Sequence, residues 1–257
     1  FGFNYNDLPG AALTQLENPD LRWEKTTQTD AAVEFGILGN TIRASIGYYV
    51  KNTADLLLNV PVSRVNGFST FTQNIGEMQN SGLELELTAD IFRSADFRWT
   101  ISGNLSTVKN KVTKLVPGQT EIIFGRNIVR EGEPLGAWYV VRYDGPNPKD
   151  GNAMWLTLNG DTTRTYSLTN RVIAGSPFPD FFGGLTSSFA VGPIDATVFF
   201  QFTSGNKIYR ADGGFTDSNL NSVFNQAKRQ NDYWSSTNTG AANPQPRLLQ
   251  ANGSQAS

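Results

Sequence analysis

The sequence predicts an all-β protein, more precisely an antiparallel transmembrane β-barrel fragment. Apolar and polar residues alternate from Leu83 to Ala89, and strand side chains alternate between opposite faces, so one face is apolar and the other carries Glu84 and Glu86. The same alternation recurs in at least five more segments that are longer than ordinary strands. Very short turns and long connections follow one another, as they do in outer-membrane barrels.

Six long strands are predicted, in three hairpins: 22–38 with 41–57, 82–92 with 97–107, and 182–191 with 194–203. Their turns are Gly39-Asn40, residues 93–96 and Gly192-Pro193. A charge at the bilayer midplane costs about 2–4 kcal/mol on a barrel exterior. We therefore expect the apolar face of each strand to meet lipid, which includes Leu83, Leu85, Leu87, Trp99, Ile101, Val198 and Phe200.

The connections between the hairpins are rich in Gly, Pro, Asn, Asp and Ser, the residues that favour turns. Compact soluble domains rarely contain such long loops. Residues 1–257 are therefore interpreted as part of one barrel domain with long extracellular loops at about 58–81, 108–181 and 204–257. Within the middle loop, Asn159-Gly160 predicts a hairpin of 153–158 and 161–166. Residues 217–230 are the only candidate for a helix.

The composition excludes several classes of function. The 257 residues carry a net charge of -2, which gives no electrostatic case for binding nucleic acid. With no Cys and no His, the chain has no disulfide, no thiolate nucleophile, no usual zinc site and no His general base. No run of about 18 apolar residues exists to form a transmembrane helix. Because residues 1–5 resemble the end of a strand and 252–257 a loop, we expect a piece of something longer.

Seven polar residues are candidates for the lining of the barrel lumen: Arg43, Lys51, Glu84, Glu86, Arg98, Asp195 and Gln201. They are interpreted mainly as a salt-bridged or solvated lining, with substrate contact as the alternative. Glu84 and Glu86 lie roughly 7 Å apart at ~3.4 Å per residue, a spacing that glycosidases also use. Strand alternation already explains both carboxylates, so no catalytic residue and no enzymatic activity are predicted.

Three aromatic residues of the predicted extracellular loops are candidates for contact with a ligand or partner: Trp155, Tyr209 and Trp234. The competing interpretation is that the loops pack on each other through these rings. A Gly-rich loop contains four residues with side-chain oxygens that could bind calcium: Asp144, Asp150, Asn152 and Asp161. They lack the spacing of a calcium-binding loop that ends in a bidentate Glu, and their usual role in turns explains their presence. No metal and no cofactor are predicted.

Several blocks of the sequence resemble one family. They are residues 18–28 (NPDLRWEKTTQ), 48–57 (YYVKNTADLL), 74–84 (NIGEMQNSGLE), 132–136 (GEPLG), 175–184 (GSPFPDFFGG) and 205–209 (GNKIY). Together, and in this order, they resemble the SusC/RagA-like TonB-dependent transporters of the bacterial outer membrane. The resemblance covers most of the chain and matches the C-terminal part of the barrel, without the plug or the last strands. An acidic stretch of the family before the GSPFPD block is replaced by residues 159–164 (NGDTTR).

The resemblance implies a 22-stranded barrel with an N-terminal plug in the outer membrane. It also implies a SusD-like surface lipoprotein as partner, and import of an oligosaccharide or peptide with energy supplied by TonB through the missing plug. The alternative is a soluble all-β glycan-binding or adhesin module. Such a module would need its apolar strand faces packed on each other.

Overall fold

The computed structural model describes residues 3–5, 8–10, 15–217 and 225–239. Regular structure in this part of the chain is almost entirely antiparallel β-strand. The chain divides into two compact units, the first formed by Phe1–Ala137 with Gly175–Lys207 and the second by Trp138–Ala174 with Ile208–Ser257. No helix of the described residues is both long and apolar enough to cross a membrane.

In chain order the strands are β1 (Phe3–Tyr5), β2 (Leu8–Gly10), β3 (Lys25–Ile37), β4 (Ile42–Ala54), β5 (Leu57–Pro61), β6 (Thr70–Asn74), β7 (Gly76–Arg93), β8 (Phe97–Thr107), β9 (Lys109–Leu115), β10 (Glu121–Phe124), β11 (Asn127–Arg130), β12 (Ala137–Val141), β13 (Tyr143–Pro146), β14 (Ala153–Leu156), β15 (Thr162–Thr163), β16 (Arg171–Gly175), β17 (Phe181–Val191) and β18 (Ile194–Ser204). Helical turns of three or four residues lie at Arg64–Asn66, Leu168–Asn170, Gly213–Thr216 and Lys228–Asn231.

Six long strands form one antiparallel wall in the order β18-β17-β8-β7-β4-β3. They are the six strands that the sequence predicts. Their three short turns lie at the same end of the wall, because the hairpins also pair with one another in antiparallel fashion, β4 with β7 and β8 with β17. The main difference is β7, which begins at Gly76 rather than at 82. Residues 76–81 extend it because they pair with β9, a strand inside the predicted loop 108–181.

The register aligns the alternation of all six strands. One row across the wall consists of Val33, Ile46, Leu85, Leu105, Gly183 and Phe202. We call the side that carries Leu85 the apolar face and the side that carries Glu86 the polar face. The apolar face stays open, with Val33 65% and Phe200 62% exposed, instead of packing on a second sheet as the soluble alternative requires.

A bulge changes one detail of this alternation. Strict alternation of side chains along β7 predicts that Ile91 lies on the apolar face, opposite the apolar residues of β8. The register instead shifts between Asp90 and Phe92, so Phe92 pairs with Trp99. An extra residue in one strand of an antiparallel pair moves every later side chain by one position.

Apart from Leu56, which lies at the end of the predicted strand 41–57, the buried core of the first unit lies within segments predicted as loops. Its members are Leu56, Val60, Ile75, Val112, Leu115, Ile122 and Val129, with Leu58, Met78, Phe124 and Leu135 packed against them. They come from the β5-β6 hairpin with the flanking Leu56 and Ile75, from the β10-β11 hairpin with Leu135 after it, from β9 and from the start of β7. The segments 58–81 and 108–135 are therefore not irregular loops, because short hairpins there bury their apolar sides together.

The second unit contains the sheet β13-β14-β15. The predicted hairpin around Asn159-Gly160 is present: Gly160 has φ 90°, and its N–H donates to the Thr157 carbonyl at 3.2 Å. Its strands are shorter than predicted, Ala153–Leu156 and Thr162–Thr163. The prediction of a helix at 217–230 is wrong for the described residues 225–230, because only a short helical turn, Lys228–Asn231, is present there. Residues 218–224 lie outside the described part.

Candidate functional site

The polar face of the wall presents rows of hydrogen-bonding side chains. One row crosses six strands and consists of Glu34, Ser45, Glu86, Asn104, Gly184 and Gln201. The neighbouring row toward the short turns consists of Gly36, Arg43, Thr88, Ser102, Thr186 and Phe199. This order follows from the period of two in each strand combined with an unshifted register between neighbours.

All seven lumen candidates lie on this polar face: Arg43, Lys51, Glu84, Glu86, Arg98, Asp195 and Gln201. The residues expected to meet lipid, such as Leu85 and Phe200, lie on the apolar face. Sequence alternation therefore assigned the two groups to opposite faces of one wall. That the polar face lines a lumen stays a prediction.

Most charges on the polar face have no ion-pair partner in the structure. Arg43 is the exception: its guanidinium lies 3.5 Å from Asp90 and also donates to the Asn40 carbonyl at 2.7 Å. Asp90 in turn accepts a 3.0 Å hydrogen bond from Thr100. Within the described part of the chain, no ion pair is formed by Lys51, Glu84, Glu86, Arg98 or Asp195. These groups remain available to a polar molecule on this side.

Two open depressions meet at Glu86 and Thr88. The larger has a volume of about 430 Å³ and also includes Glu34, Arg43 and Ser45. The smaller, of about 220 Å³, also includes polar residues of β8 and β17, namely Ser102, Asn104 and Thr186. Hydroxyl and amide groups in this arrangement can donate and accept hydrogen bonds and the carboxylates can accept them, while no nucleophile among the lining residues is paired with a general base.

The sequence analysis missed the neutral members of this surface. Apart from Gln201 it selected charged residues, whereas the neutral Thr88, Ser102, Asn104 and Thr186 line the smaller depression. The signal was available, because these residues occupy the same alternate positions of β7, β8 and β17 as the charged candidates. Asn104 also accepts a 3.0 Å hydrogen bond from the N–H of Gly184, which fixes the orientation of its amide.

The aromatic candidate Trp155 lies at the centre of a three-ring cluster in the second unit. Its ring meets those of Tyr143 and Tyr166 edge to face, with centroid separations of 5.4 and 5.0 Å. Both angles, 61° and 71°, are favourable for aromatic pairs. Tyr143 is only partly covered by the cluster, with 38% of its surface exposed, and this partial burial raises its pKa to about 12. Tyr166 remains 55% exposed at the edge of the cluster.

The other two aromatic candidates lie elsewhere in the second unit. Trp234 donates from its indole nitrogen to the Pro148 carbonyl at 3.2 Å. The Tyr209 ring lies 6.1 Å from that of Trp138. Each of the three candidates therefore contacts other residues of its own unit, as the loop-packing interpretation requires, and the structure does not unite them in one site. Contact with a ligand or partner stays a prediction for each.

Asp150, one of the residues considered for calcium, stabilises a turn. Asp150 accepts a 3.1 Å hydrogen bond from the N–H of Asn152 and lies 2.8 Å from Arg164. The Asn152 N–H, followed by the Arg164 charge, holds the pKa of Asp150 below its usual value. Among the described residues, no group of three or more acidic side chains is arranged to hold a metal.

Comparison with known proteins identifies the family. The family profile described as "TonB dependent receptor-like, beta-barrel" matches residues 2–208. The chain belongs to this family. TonB-dependent receptor P3 of Formosa agariphila is 31% identical over 93% of this chain and 26% of its own length. TonB-dependent receptor SusC of Bacteroides thetaiotaomicron is 30% identical over 75% of this chain and 20% of its own length.

A solved structure of a peptide transporter shares the fold. The RagAB peptide transporter matches with a TM-score of 0.84 and 26% identity over 100% of this chain and 29% of the matched chain. The predicted resemblance and the β-barrel fold class are thereby confirmed, and the relatives are receptors and transporters rather than enzymes. The chain spans about a quarter of the length of the curated relatives it matches.

Proposed function

We propose that this chain forms part of the wall of an outer-membrane transporter that takes up an oligomeric nutrient. The polar face lines the lumen and the apolar face meets lipid. The observation that supports this most is the register of the six strands, which from Leu83 to Ala89 of β7 keeps Leu85 and its row on one side and Glu86 and its row on the other. A barrel wall between lipid and water requires this separation.

The height of the apolar face fits a bilayer. From Phe97 to Thr107 the wall rises about 34 Å along the strand at ~3.4 Å per residue. At the tilt of about 40° that such barrels adopt, the height along the membrane normal is about 26 Å, close to the apolar band of about 25 Å in outer-membrane barrels.

The partners follow from the family. We infer that a SusD-like surface lipoprotein covers the extracellular side and that TonB supplies energy through a plug encoded outside this chain. The supporting comparisons are the relatives SusC and RagAB. RagAB is described as a peptide transporter, whereas glycans and peptides are both compatible with the hydroxyl and amide groups around Glu86.

Growth of a deletion strain distinguishes the two substrate classes. We expect the strain that lacks the full-length protein to lose growth either on oligosaccharides or on oligopeptides as the only carbon source, and to recover when the gene is restored. Growth on the matching monomers serves as the control. Undiminished growth on both classes of oligomer would contradict a role in their uptake.

The facing of the wall is tested with two neighbouring positions. A spin label on a cysteine at Leu85 is expected to be accessible to oxygen dissolved in lipid, and one at Glu84 to a water-soluble nickel complex. The reverse pattern would show that Glu84 faces lipid and Leu85 faces water, which would contradict the proposed facing of the wall, since a shift of one residue exchanges the two faces.

A further inference from the structure

The apolar face of the wall continues beyond its apolar rows, on the side away from the short turns. Above the row of Ala31, Tyr48 and Leu83, the next row consists of Thr29, Val50, Ser81 and Lys109. The row after that consists of Thr27, Asn52, Gln79 and Lys111. Both lysines belong to β9, which pairs with the same edge of β7 as β8 does.

The two sides of β9 have different roles. Asn110, Val112 and Leu115 are buried, and the latter two belong to the core of the first unit. Lys109 and Lys111 are exposed on the opposite side. The core therefore occupies the polar-face side of β9 and leaves its lysines on the apolar-face side.

Neither lysine has a counter-charge from its own unit. Lys114 forms a pair with Glu77 at 3.8 Å, but among the described residues Lys109 and Lys111 form no ion pair and no side-chain hydrogen bond. Their cross-strand neighbours are the neutral Ser81 and Gln79. The amide of Gln79 is already bonded to Asn52 at 2.9 Å. Lys109 and Lys111, which we call the lysine patch, therefore present positive charge without a counter-charge on the apolar-face side of β9.

The height of the patch corresponds to that of lipid head groups. Each row spans two residues, or about 5 Å along the membrane normal for a strand tilted by about 40°. Lys109 then lies about 5 Å above the last apolar row, within the polar layer of roughly 5–8 Å in each leaflet, and Lys111 lies about 10 Å above that row, at the outer edge of the layer. A lysine there lays its aliphatic stem on apolar surface and extends its ammonium group toward water.

We propose that Lys109 and Lys111 form a contact site for phosphate groups of anionic lipids, in the leaflet nearer the long connections. Two features favour lipid as the molecule that binds here. The lysine patch directly adjoins the apolar rows of the wall, and its positive charge complements an anionic head group. Lys25 of β3 is exposed on the same face one row further up, with β4 and β7 between it and β9. The proposal rests on the proposed contact of the apolar face with lipid.

Titration of lipid onto the full-length protein in detergent, followed by native mass spectrometry, tests the site. The probes are phosphatidylglycerol, which is anionic, and phosphatidylcholine, which is zwitterionic. A lysine close to an anionic surface contributes about five-fold to affinity. The double variant Lys109→Gln/Lys111→Gln is therefore expected to bind phosphatidylglycerol about 25-fold more weakly, with unchanged binding of phosphatidylcholine.

A second double variant with the same charge change, Lys149→Gln/Lys228→Gln, serves as the control and should bind both lipids like the wild type. Unchanged affinity of Lys109→Gln/Lys111→Gln for phosphatidylglycerol would overturn the proposal, as would an equal loss for both lipids. Weaker capture of a lipoprotein with unchanged lipid binding would assign the patch to a protein and also overturn it.

The spin label at position 85, in the same samples, separates this proposal from the proposed facing of the wall. A label in lipid together with unchanged phosphatidylglycerol binding would refute the lysine site alone. A label in water would refute the facing itself.

Discussion

Asn74 shows how one side chain can fix the path of the chain at the residue scale. Its amide nitrogen donates to the carbonyls of Arg22 and Asp55 at 2.9 and 2.6 Å, and its Oδ1 accepts from the Arg22 N–H at 2.9 Å. Asp55 has a left-handed φ of 57°, so the hydrogen bond to its carbonyl holds an unfavourable turn between β4 and β5. Three segments that are distant in sequence thus meet at one amide.

Replacement of this amide is expected to loosen the entry to β3. Asn74→Ala removes all three hydrogen bonds and should reduce stability by about 1–3 kcal/mol, because the partners lose bonds without gaining new ones. Asn74→Asp keeps the acceptor for the Arg22 N–H. Hydrogen exchange at Arg22 should therefore accelerate in the Ala variant and remain slow in the Asp variant. Gln73→Ala, which removes no observed hydrogen bond, is the control, and equal exchange in all variants would contradict the role of Asn74.

Tyr143 provides a pH-dependent signal from the second unit. Its phenol has a pKa of about 12 when folded, raised by burial above the ordinary value of 10.0. The folded state keeps the proton between these values and the unfolded state releases it, so this contribution to stability is complete below pH 10 and is lost from pH 10 to 12. We expect the difference in absorbance at 295 nm between the wild type and Tyr143→Phe to titrate with a midpoint near pH 12. Constant circular dichroism over the same pH range shows that the protein stays folded during the titration. A midpoint near 10 would show that the ring is solvated.

At the element scale, β7 depends on a glycine where its partner changes from β8 to β9. A Cβ on Gly82 would collide with the carbonyl oxygen of Thr107 and lie 2.9 Å from the Tyr49 ring. Thr107 is the last residue of β8, and its hydroxyl accepts a 2.9 Å hydrogen bond from the N–H of Leu83. The junction between β8 and β9, which consists of the single residue Val108, therefore lies close against the backbone of β7.

Gly82→Ala is expected to destabilise the wall by about 1–3 kcal/mol through overpacking. Gly103→Ala is a matched control in β8, because its Cβ would meet its nearest neighbours, in β17, at 3.4 Å, an ordinary contact. Less backbone freedom in the unfolded chain makes this control neutral or slightly stabilising. Urea unfolding of the full-length protein in detergent micelles measures both variants, and equal midpoints would mean that β8 can move away from Gly82.

At the scale of the whole molecule, the wall is an open sheet in the described part of the chain. β3 and β18 are its edges, and both are exposed along their entire length. A strand edge in lipid would leave backbone groups without hydrogen-bond partners, each at a cost of several kcal/mol. The curvature of a wide barrel also does not allow six strands to close without a change of tilt and shear.

Residues 1–257 alone are therefore expected neither to form a stable barrel nor to transport a nutrient. Expression in an outer-membrane system, followed by gel mobility with and without heating, tests this expectation. A monomeric, heat-modifiable species would show that these residues are a complete folding unit. The full-length protein, which should show the mobility shift, is the positive control.

The sidedness of the wall can be measured in intact cells. Asn40 lies in a short turn and Ser63 in the β5-β6 connection, at opposite ends of the wall. In single-cysteine variants of the full-length protein, an impermeant thiol reagent should label position 63 and spare position 40, because long connections of outer-membrane barrels face the outside. Labelling of both sites after lysis is the control. Labelling of position 40 alone in intact cells would invert the topology.

The sequence by itself determined the six wall strands, their short turns and the division of Leu85 and Glu86 onto opposite faces. These features depend on a period of two, which is local and visible in any single strand. Only the tertiary structure decided that residues 76–81 extend β7, that a bulge brings Phe92 opposite Trp99, and that Ile75, Val112 and Val129 share a core. It also decided that Lys109 and Lys111 lie in the two rows that follow the last apolar row of the wall. Each of these depends on which distant segment pairs with which, and that choice is made by packing between short strands whose own alternation is too brief to be recognised.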